Sequence, residues 1–115
     1  MKILNHTQNY LFADKARLAD SFRSRLVGLL DRKEIVPGEA LVITHCQQVH
    51  MFFMKFAIDV IFIDRAEVVV GLVENIKPFS MSPIFLKAHR AIELPAGTIS
   101  HSRTSLGDSI QFLSS

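Results

Sequence analysis

The run His45-Cys46-Gln47-Gln48-Val49-His50-Met51, followed by Met54, gathers imidazole, thiol and thioether groups in one short stretch. Those are the side chains that hold Zn or Cu(I). As an extended strand the segment would put Cys46, His50 and Met54 on one face, with successive members about 13 Å apart at roughly 3.3 Å per residue. A shared ion needs bonds of about 2.0–2.3 Å. A turn at Gln47-Gln48 would join Cys46 to His50 alone, and two ligands do not make a structural zinc site. The expectation is therefore no metal and no cofactor, with Cys46 a buried thiol and His50 a hydrogen-bonded core histidine.

Acid–base chemistry has few other sources. Cys46 with His50 and an acid, Asp59 or Glu93, would supply a nucleophile, a base and its orienting group. Nothing around Cys46 marks the helix N-terminus or strained turn where reactive thiols sit. Asp59 and Glu93 could face each other as a glycosidase-type carboxylate pair, although pairing with arginine is the preferred reading. The chain has no glycine-rich phosphate loop, no Gly-x-Ser-x-Gly and no His-Glu-x-x-His. Asp59 is the residue that stands out. Strand alternation places it with Ile61 and Ile63, opposite Ile58, Val60 and Phe62. A carboxylate there is at least half buried and needs a partner, for which Arg25, His50 and Lys55 are the candidates.

These groups must be positioned by short β elements. Lys2 to Leu4 and Tyr10-Leu11-Phe12 read as brief strands. One helix is expected over 20–31, where Ala19-Asp20-Ser21 offers a cap and Phe22, Leu26, Leu29 and Leu30 recur at helical spacing. Glu34 to Gly38 reads as a loop closed by Pro37-Gly38. Strands follow at Ala40 to Ile43, Gln48 to Met54, Ile58 to Ile63, Val68 to Val73 with a bulge signalled by Gly71, Ala91 to Leu94, and Ser109 to Leu113. Phe79 to Ala88, with two Ser and Pro83, reads as a long irregular loop. Short strands without alternating helices favour an antiparallel sandwich or barrel.

Composition sets the outer limits. At 115 residues the chain suffices for one core, so residues 1–115 are expected to form a single domain. Hydrophobic residues make up 49%, with 9 Phe, which excludes a disordered chain. Lys plus Arg is 13 against 11 Asp plus Glu, a net charge of +2 without a clustered basic stripe, so no nucleic-acid partner is expected. The longest stretch lacking a charged side chain is broken by polar residues, which excludes a membrane-spanning helix. With one Cys and no secretory leader in view, the expected location is cytoplasmic. A mean hydropathy of +0.26 suggests either a homodimer or an apolar cleft.

Four blocks taken in order, 25–32 (RLVGLLDR), 46–64 (CQQVHMFFMKFAIDVIFID), 90–97 (RAIELPAG) and 106–108 (LGD), resemble the DUF 192 family of small domains. The resemblance runs from about residue 17 to 113. This chain has the shorter loop, Phe53-Met54-Lys55-Phe56-Ala57-Ile58-Asp59, with Ala57 where proline is common and His50-Met51 where related short forms have His-Thr. Many members carry an export signal or lipid anchor, and this chain shows neither. The resemblance implies a mainly β, jelly-roll-like sandwich with a helix near the N-terminus, and implies no activity.

Two functions are then in view. The first is a non-enzymatic ligand-binding or protein-interaction module, with an apolar cleft rimmed by His50, Met54, Asp59 and Glu93 and with Arg25 as a further ligand-binding candidate. Its partner would be a small molecule or a protein. The second is a small hydrolase-like enzyme drawing an acid/base pair from His50, Asp59 and Glu93. A deep pocket holding both His50 and Asp59 would favour the enzyme.

Overall fold

Runs of β-branched residues punctuated by turn residues build seven strands in a computed structural model that describes residues 1–19, 32, 34–52 and 54–114. They are β1 (Lys2–Asn5), β2 (Tyr10–Ala19), β3 (Gly38–Thr44), β4 (Ile58–Ile63), β5 (Val69–Ile76), β6 (Arg90–Pro95) and β7 (Ile110–Leu113), with a short helix α1 (Thr98–Ser102) between the last two. The strand order is β5-β4-β6-β3-β2-β1-β7 in one sheet. The sheet curls until its two edge strands approach each other. An antiparallel bridge joins Val68 to Ser109, and the Val69 amide donates to the Asp108 carbonyl at 2.9 Å. Closure of this kind removes part of the exposed edge that an open sheet would present.

The mainly β class expected from the sequence is what the chain adopts. The pairing is antiparallel except between β2 and β3, which run parallel. A parallel pair needs a connection of a dozen or more residues, and the 20–37 segment is long enough. The helix expected over 20–31, and the candidate Arg25 within it, lie outside the described residues.

Two expected elements differ from those observed. The strand begun at Tyr10 runs on to Ala19, because a bulge between Ala13 and Lys15 resets its register and hides the alternation that would reveal a strand. In the aromatic-rich segment 48–54 the described residues form no strand. The segment forms single hydrogen bonds to the 79–85 segment: Met51 N donates to Ser80 O at 2.8 Å, and Ser82 N to Val49 O at 2.9 Å. One isolated bridge, His50 to Met81, is all the ladder it makes. The strand-based spacing of Cys46, His50 and Met54 therefore does not describe this segment.

Two cores lie on the two faces of the sheet. The inner one, within the curl, contains Ile3, Phe12, Val42, Ile61, Ile63, Ile92, Leu94 and Ile99. The outer one contains Leu41, Ile43, Val49, Met51, Met54, Ile58, Val60 and Phe62, and is roofed by the irregular segments 45–57 and 77–88. Strand β4 is buried throughout, which is why it reads as a continuous apolar run.

Gly71 pins the roof to the sheet. The bulge its presence suggested lies beside it, since Phe62 pairs with Gly71 and Ile63 with Val69, leaving Val70 as the extra residue. A Cβ at Gly71 would stand 2.6 Å from the Phe85 ring, which packs on Phe62 with centroids 4.6 Å apart. Gly71→Ala should accordingly displace the ring and destabilise the protein by about 1–3 kcal/mol. Urea unfolding measures the cost, and the Phe62–Phe85 proton contact by NMR should weaken. A variant as stable as the parent with that contact intact would refute the packing role.

Candidate functional site

Asp59 sits on β4, between the edge strand β5 and β6, with 0% of its surface exposed. Its Oδ1 accepts the Asn75 amide at 2.8 Å and its Oδ2 the Ile99 amide at 2.8 Å. A buried carboxylate survives when its oxygens are hydrogen-bonded, and here backbone amides supply the bonds where a side-chain cation was expected. Ile99 belongs to the first turn of α1, whose early amides have no partner within the helix. Asp59 thus anchors a five-residue helix that is too short to be stable alone. That dependence explains why α1 left no trace in the sequence pattern.

Glu93 is also fully buried, but by register it pairs with Leu41 on one side and Val60 on the other. Both belong to the outer core. Asp59 pairs with Leu94 of the inner core. Cross-strand partners share a face, so the two carboxylates point to opposite sides of the sheet. Met54 is buried in the outer core, and His50 lies in the roof above it, its ring 5.0 Å from that of Phe52. The single cleft expected to be rimmed by His50, Met54, Asp59 and Glu93 is not formed. Three of the four belong to the outer side and one to the inner. Cys46 is partly buried at the edge of the outer core, and its thiol donates to the Gln48 carbonyl at 3.2 Å. Among the described residues no three His, Cys, Asp or Glu side chains gather as a metal site, and no helix is long and apolar enough to cross a membrane.

A cleft of about 630 Å³ opens elsewhere. Its walls are the start of β2 (Tyr10 to Asp14), the Pro37-Gly38 turn, and the Pro95-Ala96-Gly97-Thr98 turn with His101 of α1. The His101 ring stands edge-on to Tyr10 at 5.8 Å, and Tyr10 leans on Phe12 at 5.7 Å. The Thr98 hydroxyl donates to the Pro95 carbonyl at 2.7 Å and stiffens the turn. Asp59 enters indirectly, because its bond to Ile99 fixes the wall that Pro95 to Thr98 provide. Sequence reading found Asp59 and the proline-glycine turns but missed Tyr10 and His101. A lone tyrosine and a surface histidine, more than ninety residues apart in number, carry no shared spacing to find.

Profile comparison matches residues 3–112 to DUF 192, described as an uncharacterized ACR. The chain belongs to the DUF 192 family. Its relatives include the UPF0127 protein of Pyrococcus horikoshii, 33% identical over 116 residues, covering 96% of this chain and 97% of that one. The UPF0127 protein of Thermococcus sibiricus is 30% identical over 117 residues, covering 96% of this chain and 73% of that one. Among solved structures, a Novosphingobium aromaticivorans protein of unknown function superposes with a TM-score of 0.83 at 18% identity, covering 97% of this chain and 84% of that one. At that identity the likeness is one of fold.

The roof has its own character. Burial first, then the charges of Arg65, His45 and Arg90, hold the His89 imidazole below its ordinary pKa. The His45 and His89 rings meet edge-on at 5.0 Å. Large apolar side chains nonetheless stand in solvent there: Phe79 is 75% exposed and Leu86 80%, with Phe52, Met81 and Ile84 also exposed.

Proposed function

We propose that this DUF 192 domain is a non-enzymatic binding module that takes a small, partly apolar ligand in the Tyr10–His101 cleft. The observation that carries the reading is the cleft itself. Its volume of about 630 Å³ falls in the range of small-molecule sites, and it combines apolar walls with a few polar groups. Tyr10, Leu11 and the two prolines offer apolar and aromatic contact, while Asp14 and His101 offer polar handles at the rim. Both Asp59 oxygens are occupied by backbone amides, and Asp59 and Glu93 face opposite cores, so these two carboxylates do not form the acid/base pair of a hydrolase. A cytoplasmic location agrees with a chain whose single cysteine is Cys46.

The test is a fragment screen read by amide chemical shifts. Binding fragments should move the amides of Gly38, Gly97, Thr98 and His101 together, and Tyr10→Ala should weaken them about three- to tenfold through the lost aromatic contact. Shifts clustered only on the roof, or none at millimolar fragment, would eliminate the cleft as the site.

A further inference from the structure

The two roof segments share a charge pattern that the cleft does not use. Residues 45–58 and 75–92 contain no Asp or Glu, while Lys55, Lys77 and Lys87 are all exposed. Between Lys77 and Lys87 the chain exposes Phe79, Met81, Ile84 and Leu86. Hydrogen bonds hold the two segments together at both ends: Phe79 N donates to Met51 O at 2.9 Å, beside Phe52, and Gln47 Nε2 donates to the Leu86 carbonyl at 2.8 Å. Among the described residues the acids at the margins of this strip are Asp64, which shares a shallow groove with Leu86, Lys87 and His89 and whose Oδ1 already accepts the Ala66 and Val68 amides, and the exposed Glu74, which precedes Lys77 by three positions.

We propose that this roof docks the protein reversibly on an anionic lipid surface, with Phe79, Ile84 and Leu86 entering the headgroup–acyl boundary and Lys77 and Lys87 facing lipid phosphates. Charge and shape together select this occupant. An apolar strip bracketed by lysines suits a membrane interface, where apolar burial adds to attraction for acidic headgroups. Protein–protein interfaces, in contrast, are depleted in lysine. This inference is independent of the cleft, with which the strip shares no residue.

Sedimentation of the full chain with phosphatidylcholine vesicles, with and without phosphatidylserine, tests it. Binding should require phosphatidylserine and weaken as salt rises. Lys77→Gln and Lys87→Gln should each reduce it about fivefold. The pair Phe79→Ser and Leu86→Ser, at positions too exposed to support the core, should reduce it about tenfold or more while leaving the unfolding midpoint unchanged. No binding to phosphatidylserine vesicles at low salt would overturn the proposal. So would binding indifferent to the Phe79 and Leu86 changes, which is adsorption by charge alone. A dimer in analytical ultracentrifugation that the same two changes dissolve would overturn it too, by giving the strip to a second copy of this chain.

Discussion

Asp59→Ala should lower the free energy of unfolding by about 3–5 kcal/mol, since it strips the acceptor from the buried Ile99 amide and the part-buried Asn75 amide at once and empties a fully buried side-chain site. The Asn75 amide belongs to the end of β5 and the Ile99 amide to α1, so one carboxylate joins β4, β5 and α1. Its substitution by alanine leaves the Ile99 donor facing an apolar interior. Asp59→Asn keeps the shape but turns one N–H₂ toward an amide, and should cost about half as much. Urea unfolding at pH 7 measures both. Hydrogen exchange adds a local readout: the Ile99 and Asn75 amides should lose protection first, and fragments bound in the Tyr10–His101 cleft should weaken because its Pro95–Thr98 wall is no longer held. If Asp59→Ala proves as stable as the parent, the anchoring role is wrong.

That anchoring shows what the sequence could and could not disclose. The run Ile58 to Ile63 names its own strand, since six residues apolar but for one acid fit only a strand buried on both faces. The acid within it was legible as buried, because its neighbours on the same face are Ile61 and Ile63. Its partners were not legible. Backbone amides have no residue type, so a search for a cation overlooked Asn75 and Ile99. Glu93 was misplaced for a related reason: which face it takes depends on its pairing with Val60 and Leu41, and register is invisible before the strands are laid side by side. The segment 48–54 misled through composition, because aromatic and β-branched residues favour strands, yet Val49, Met51 and Met54 bury themselves at unequal spacing under a roof. The apolar content of 79–86 was visible throughout; only exposure reveals it as a surface.

Asp108 should carry a pH-dependent share of the protein's stability. Burial pushes its carboxyl up, but hydrogen bonds from Asn5, Ser105 and Gln8 outweigh burial and bring it below its ordinary value of 3.8. Oδ2 accepts from Asn5 Nδ2 at 2.9 Å, from the Ser105 amide at 3.0 Å and from Gln8 Nε2 at 3.3 Å. Asn5 is itself fully buried and also donates to Thr104 Oγ1 at 3.1 Å. The knot sits where the sheet edges meet, next to the Asp108 carbonyl that receives the Val69 amide. A folded pKa below the unfolded one means that the ionised form stabilises the fold above the unfolded pKa of about 3.9, and that this contribution disappears as pH falls through the folded value. Asp108→Ala should therefore cost about 2–4 kcal/mol at pH 7, chiefly from the orphaned donors of Asn5 and Ser105. Asp108→Asn removes the titration while keeping one acceptor, so the gap between parent and Asn variant should be widest above about pH 5 and should narrow toward pH 2. Urea unfolding of both proteins across that range decides the point. A gap that stays constant with pH would mean that the Asp108 charge contributes nothing, and that shape alone holds the β5–β7 closure.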